Sequence, residues 1–184
     1  MKNLKVKEDE KIKILIMTSL MIAVVFISGS IIKIPTLNGF MQPGDCMVLL
    51  SGVLLGKKYG TVSASIGMAL VDIFAGYLIW APFTFVIKGL MAFFVAVIIE
   101  RFKDKTIKVY ILAFIIGGII DLFGYFIANA IMGGLILGAS NGFIGSIIYA
   151  AMHLPGDTVQ VILGIIIAIP LAKFIYAMRK KIFK

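Results

Sequence analysis

Apolar runs long enough to cross a lipid bilayer alternate with clusters of lysine and arginine along nearly the whole chain. Hydrophobic residues make up 61% of the sequence and charged residues only 15%, whereas about a quarter of the residues in a soluble domain are charged. Because each span needs about 20 apolar residues, a chain of this length holds at most about eight spans. We therefore predict one all-α integral membrane domain over residues 1–184.

Six hydrophobic segments account for the pattern. The first follows five lysines but is too long for the core of a signal peptide, so we interpret it as a mature span. The second has a short apolar run. It crosses the membrane only if the bilayer is locally thin or if the residues that flank the run extend the helix. The predicted transmembrane helices cover residues 12–32, 44–56, 58–80, 82–100, 107–134 and 155–178, and residues 135–155 form the long outer loop.

The basic residues predict the orientation of these helices. They cluster before the first helix, between the second and third, after the fourth and at the end of the chain, while the alternate connections contain only Lys33. Loops rich in lysine and arginine stay in the cytoplasm. Both termini are therefore predicted to be cytoplasmic, and the net charge of +9 reflects membrane orientation, with no nucleic-acid partner expected.

Three charged residues, Asp72, Lys88 and Asp121, fall inside the predicted helices. A charge at a helix centre costs about 2.5–3.5 kcal/mol on insertion scales, so such residues usually face a cavity or each other. A tight turn joins the third helix to the fourth, which places Asp72 about 12 Å and Lys88 about 9 Å below that turn. We expect an ion pair between Asp72 and Lys88, and contact of either residue with a polar ligand stays open.

Polar side chains also share one face of the fifth helix. Asp121, Tyr125 and Asn129 are spaced by four residues, which aligns them along the helix. Such a face borders a polar cavity, the interpretation that we favour, or it makes hydrogen bonds between helices.

The sixth predicted helix carries a similar stripe. Asp157, Gln160 and Gly164 lie on one face, and Pro155 is placed near the helix start. Asp157 in the first turn either complements the helix dipole or binds a ligand. His153 precedes it in the outer loop, where a solvated or backbone-bonded histidine is favoured over a ligand contact.

Several other residues have two interpretations each. Tyr77 and Trp80 belong to an interfacial aromatic belt or stack on a flat ligand. Asp45 is a carboxylate at a helix N-terminus or a ligand contact. Ser19 and Ala23, four residues apart, allow another membrane helix to approach closely.

Familiar catalytic and metal motifs are missing from the sequence. It contains no Walker, H-E-x-x-H or G-x-S-x-G motif, and its single cysteine, Cys46, has no metal-ligand spacing to another Cys or His. We therefore expect no catalytic site, no metal and no cofactor. Any uphill transport takes its energy from elsewhere.

Five motifs between Lys33 and Gly89 connect the chain with a known family. They are "KIPT" (Lys33–Thr36), "QPGD" (Gln42–Asp45), "LLGKKYG" (Leu54–Gly60), "LVDIFAGY" (Leu70–Tyr77) and "WAPFTFVIKG" (Trp80–Gly89). With them, the chain resembles the substrate-binding (S) components of energy-coupling factor (ECF) vitamin importers from about Ile14 to Lys173. The hydroxymethylpyrimidine and pyridoxine branch is the most similar.

This resemblance implies a six-helix bundle in a prokaryotic cell membrane that binds a vitamin from outside and is not an enzyme. It also implies docking on a coupling module, which consists of a transmembrane coupling subunit and two ATPases, with Ser19 and Ala23 facing the coupling subunit. Pyridoxine or hydroxymethylpyrimidine is the expected ligand, and thiamine fits nearly as well. The expected substrate-binding residues are Asp45, Tyr77, Trp80, Thr84, Lys88, Asp121, Tyr125, Asn129, His153, Asp157 and Gln160.

Two other functions remain as alternatives. An autonomous ion-coupled carrier would relay protons through Asp121 and the Asp72–Lys88 pair. An intramembrane lipid enzyme would use Asp121 and His153 as acid and base, but the sequence lacks the carboxylate cluster that binds Mg²⁺ with pyrophosphate.

Overall fold

The chain folds almost entirely into helices. The computed structural model describes residues 2–35, 40–136 and 142–182. A short antiparallel pair, β1 (Ile34–Pro35) with β2 (Phe40–Met41), lies between the first two helices. The helices are α1 (Lys2–Ile31), α2 (Asp45–Phe74), α3 (Ala81–Arg101), α4 (Ile107–Ile131), a π-helical turn (Met132–Ile136) and α5 (Gly142–Ile182).

The surface of this bundle suits a lipid solvent. Four stretches among the described residues are long and apolar enough to cross a membrane: Glu10–Ile31, Ala81–Arg101, Ile107–Gly134 and Gly142–Lys181. Large apolar side chains such as Phe74 and Phe143 are 74% and 81% exposed. An apolar surface of this extent marks contact with a membrane or a partner, and the all-helical membrane architecture predicted from the sequence is confirmed at this level.

α2 folds back on itself at Gly56. The backbone of Gly56 is not helical (φ 74°, ψ −169°), and glycine adopts this positive φ without steric cost. The Ser51 hydroxyl donates a hydrogen bond to the Gly60 carbonyl at 3.0 Å, although nine residues of continuous helix would separate them by about 13 Å. The arms 45–55 and 57–74 therefore run antiparallel. The break between them falls between the predicted second and third helices.

The predicted third helix ended at residue 80, but the second arm of α2 ends at Phe74. The Tyr77 N–H donates to the Asp72 carbonyl at 2.9 Å, and the Gly76 N–H donates to the Ile73 carbonyl at 3.2 Å. With Gly76 at φ 86°, this is the Schellman arrangement that terminates helices at a left-handed glycine. Residues 75–80 therefore form a turn instead of a last helical stretch.

The prediction of an outer loop at 135–155 was also wrong, because most of this stretch is helical. α5 begins at Gly142 and continues through Pro155 and Pro170, while residues 137–141 lie outside the described residues. A proline removes one helical hydrogen bond, but membrane helices tolerate it when neighbouring helices or waters satisfy the freed carbonyl. Pro155 therefore lies inside α5 and does not mark the predicted helix start.

One end of the bundle collects the basic residues of the connections. Glu100, at the end of α3, lies 3.2 Å from the Lys57 ammonium and 3.4 Å from the Arg179 guanidinium. Arg179 also donates to the Val53 carbonyl at 3.1 Å. These contacts bring the Gly56 turn and the ends of α3 and α5 together.

The Glu100 contacts are partly exposed, so they should stabilise the fold only weakly. We expect Glu100→Gln to lower the free energy of unfolding by less than about 1 kcal/mol, because solvent screens such pairs. Unfolding in detergent at low and high salt checks this, and the difference from the unmodified chain should shrink at high salt. A loss well above 1 kcal/mol that persists in salt would contradict a screened surface network.

Candidate ligand-binding site

A buried lysine joins three helices in the interior of the bundle. The Lys88 side chain on α3 is completely buried. Its Nζ atom lies 2.6 Å from Asp45 Oδ1 at the start of α2, and 2.9 and 3.0 Å from the two carboxylate oxygens of Asp121 on α4. Both carboxylates are also buried, so the triad of Lys88, Asp45 and Asp121 is a closed ionic cluster away from solvent.

The predicted Asp72–Lys88 ion pair was wrong. Among the residues that the structure describes, the ion pairs of Lys88 go to Asp45 and Asp121. The cause is the early end of α2, which leaves Asp72 about 3 Å from the helix end while Lys88 lies about 10 Å inside α3. Proton relay through a direct Asp72–Lys88 ion pair therefore has no support among the described contacts of Lys88.

α5 closes the cluster from another side through Gln160. The Gln160 amide donates to Asp45 Oδ2 at 3.0 Å, and its oxygen accepts from the Gln42 backbone N–H at 3.0 Å. Gly164 permits this approach, since a methyl group there would lie 2.9 Å from Asp45 Cβ. The predicted stripe of Gln160 and Gly164 thus faces the site, and both carboxylate oxygens of Asp45 are engaged.

The polar face of α4 points into the bundle. The Tyr125 hydroxyl is hydrogen-bonded to Thr84 Oγ1 at 3.1 Å, and the Lys88 ammonium lies 4.9 Å from the centre of the Tyr125 ring. Asn129, one turn further along, is also buried. These contacts are interhelical, which was the second of the two interpretations of this face, and the polar cavity stays a prediction.

Two other carboxylates have oxygen atoms without partners. Within the described part of the chain, no hydrogen bond reaches Asp72 Oδ2 or Asp157 Oδ2. Asp157 lies in the middle of α5, so its predicted place in a first helical turn was wrong. Buried polar atoms without partners are costly, and these two oxygens are therefore candidates for ligand contact.

The remaining predicted site residues lie in α5 and in the turn at 75–80. His153 belongs to α5 and not to a loop; its Nδ1 lies 2.8 Å from the Tyr149 carbonyl oxygen. Tyr77 and Trp80 are half-buried in the turn at 75–80, where the Trp80 ring lies 6.3 Å from that of Phe83. A stacking role for the two aromatic residues stays a prediction.

A cavity of about 590 Å³ opens elsewhere, between the end of α4 and the start of α5. Its walls include Phe126, Ile127 and Ile131 on α4 and Phe143 and Ile147 on α5. None of the candidate carboxylates lines it. Its apolar walls match a lipid-facing groove and not the polar site.

On α1, the small residues face outward. Ser19 and Ala23 are exposed, and Leu15 and Leu20 beside them are 59% and 56% exposed. The surface of small residues that we predicted to contact another membrane helix is thus accessible in this chain.

The chain is similar to a known protein family and to a curated protein. A family model described as "ECF-type riboflavin transporter, S component" matches residues 9–177. The chain belongs to this family of S components. A curated relative, an uncharacterized protein in a "gap 3′region" of Pyrococcus woesei, is 38% identical over 96 residues, which cover 51% of this chain and 62% of the relative. The chain thus spans less than two thirds of that relative's length.

The match confirms the resemblance to ECF S components but not the predicted branch. The family description names riboflavin, whereas the motifs suggested pyridoxine or hydroxymethylpyrimidine. The family is one of transporter S components. The specific vitamin does not follow from it.

Proposed function

We propose that this S component captures a small water-soluble vitamin, with a flat nitrogen heterocycle, for an ECF-type importer. The observation that carries the proposal is the buried cluster of Lys88, Asp45 and Asp121. It is joined by the Asp72 and Asp157 oxygens that have no hydrogen-bond partner within the described residues. Charged residues inside a membrane domain usually line substrate or ion pathways, because burying a charge in the membrane is costly.

The sidedness of the bundle supports capture from outside the cell. Lys57 and Arg179 meet at one end, while Asp45 and the turn at 75–80 lie toward the other, because each arm of α2 runs from one end to the other. Basic connections remain in the cytoplasm. We therefore assign six spans with both termini cytoplasmic and place the carboxylate cluster toward the outer face.

The site offers contacts to both the polar edge and the flat faces of a heterocycle. Carboxylate oxygens accept hydrogen bonds from ring N–H, amino and hydroxyl groups, and Trp80 and Tyr77 supply aromatic surfaces for stacking. Riboflavin, which the family description names, and pyridoxine and hydroxymethylpyrimidine, which the motifs suggest, all present such groups. These three compounds are the first ligands to test.

Transport should depend on partner ATPases. We expect proteoliposomes that contain the chain and its coupling module to accumulate the vitamin only with ATP, and a module with inactive ATPases to abolish accumulation. Uptake driven by a proton gradient in the absence of the module, and lost in Asp121→Asn, would instead support an autonomous carrier.

The exposed small residues of α1 should mediate docking on the coupling subunit. We expect the double change Ser19→Leu and Ala23→Leu to weaken assembly with the module at least about tenfold, because bulky residues prevent close helix approach. Co-purification measures assembly, and calorimetry should show an unchanged vitamin Kd. Ala151→Leu, at another exposed alanine, is the matched control, and equal effects of the two changes would remove α1 from the interface.

A further inference from the structure

The candidate site contains more buried negative charge than positive charge. Lys88 is surrounded by Asp45 and Asp121, and all three side chains are at most 1% exposed. One ammonium thus faces two carboxylates in the interior. The cluster alone carries a formal surplus of one negative charge.

Two more carboxylates enlarge this surplus. Asp72 is 9% exposed, and Asp157 is half-buried on α5. The charge of the Lys88 ammonium acts on both carboxylates, although its direct ion pairs among the described residues are with Asp45 and Asp121. The other cations facing them are the exposed Lys33 beside Asp72 and His153 beside Asp157, and four carboxylates still exceed three basic groups when both are counted as charged.

A surplus of buried negative charge is stabilised by a cation, or by a proton that neutralises one of the carboxylates. Removing ions from water is costly unless opposite charge and hydrogen bonds compensate them. The Asp72 Oδ2 atom has no hydrogen-bond partner within the described ranges although its side chain is nine-tenths buried. An unpartnered carboxylate oxygen in that setting is a ready acceptor for a charged donor.

We propose that the vitamin carries a cationic nitrogen, which Asp72 and Asp157 bind. This inference rests on the proposed function, since it specifies the ligand of the same site. A charge-assisted hydrogen bond between an ammonium and a carboxylate is about twice as strong as a neutral one. A hydroxyl in the same place adds no positive charge, so we expect the site to select an amine over the corresponding alcohol.

Matched ligand pairs test this selection on the purified full-length chain. Pyridoxamine and pyridoxine differ by an aminomethyl against a hydroxymethyl group, and the aminomethyl and hydroxymethyl forms of the aminopyrimidine differ in the same way. In calorimetry at neutral pH, we expect the amine of at least one pair to bind at least about tenfold more tightly than its alcohol.

Substitutions by asparagine test which carboxylates cause the preference for the amine. Asp72→Asn and Asp157→Asn, checked for folding by thermal unfolding, should each reduce the amine preference at least about fivefold, because an amide carries no charge. Asp104→Asn, at an exposed carboxylate in the connection after α3, should leave the preference intact. A preference that survives in both Asn variants would overturn the assignment of these two carboxylates.

The failure of this inference is distinguishable from failure of the proposed function. Equal affinities within each pair, or binding of riboflavin with no binding of either amine, would overturn the cationic-ligand inference and leave a vitamin-binding S component. A folded chain that binds none of these compounds would overturn both.

Discussion

Replacing Lys88 with methionine is expected to lower the free energy of unfolding by about 3–5 kcal/mol, because the change leaves two buried carboxylates without their cation. Asp45 and Asp121 both lie within 3.0 Å of the Lys88 ammonium and are shielded from water. Methionine fills a similar volume, so lost packing contributes little. Unfolding of the purified chain in detergent measures the effect.

The same experiment distinguishes the observed partners from the one that sequence spacing suggested. Neutralising Asp45 and Asp121 to asparagine in the Lys88→Met background should recover part of the lost stability, because the two carboxylates that lost their direct ion pair then carry no charge. Asp72→Asn in that background should recover little. Lys58→Met, at an exposed lysine, is the control. Rescue by Asp72→Asn alone would contradict the arrangement of the cluster.

A methyl group at Gly60 is expected to destabilise the α2 hairpin by about 1–3 kcal/mol. The added carbon would lie 2.6 Å from the Ser51 carbonyl oxygen and 3.0 Å from Gly52 Cα. These are backbone atoms that cannot rotate away, so the arms 45–55 and 57–74 must separate. Thermal unfolding of Gly60→Ala measures the loss.

Gly124→Ala is the matched control for this overpacking. Its added methyl group meets only side-chain atoms of Ile87, at 2.9 Å, and a side chain can adjust its rotamer. We expect a clearly smaller loss than for Gly60→Ala. Similar effects at the two glycines would contradict the close backbone contact between the arms.

Hydrophobic length and local spacing predicted much of this architecture. The bounds expected for the fourth helix, 82–100, agree closely with α3 at Ala81–Arg101, because a long apolar run between charged ends defines a span. The i, i+4 spacing of Asp121 and Tyr125 also placed both on one face of α4. These signals are local, and tertiary packing does not override them.

Pairing between helices was harder to predict because it depends on depth. An error of six residues at the end of α2 shifts Asp72 by about 9 Å along the axis, and this shift leaves Asp72 without a direct ion pair to Lys88 among the described contacts. The glycine signal was present in the sequence at Gly76, since glycine commonly ends helices by the Schellman arrangement. Asp45 was recognised as a candidate, but nothing local indicated that it would meet Lys88, 43 residues further along the chain.

The predicted start of α5 was wrong because of a proline. Pro155 was interpreted as the start of a helix, whereas the helix begins at Gly142. In a membrane domain the surrounding helices can satisfy the carbonyl that proline frees. Asp157 consequently lies in mid-helix and not at a helix terminus, which excludes the first of its two interpretations, the helix-dipole role, and leaves ligand contact as the prediction.

Equilibrium binding is the most direct test of the central claim that the Lys88 cluster serves a vitamin site. Purified chain is titrated with riboflavin, pyridoxine, pyridoxamine and hydroxymethylpyrimidine by calorimetry, with emission of the single tryptophan, Trp80, as a second readout. We predict saturable binding of at least one compound, weakened at least about tenfold in Asp121→Asn. A folded protein that shows neither heat nor a change in emission with any of them would contradict the claim.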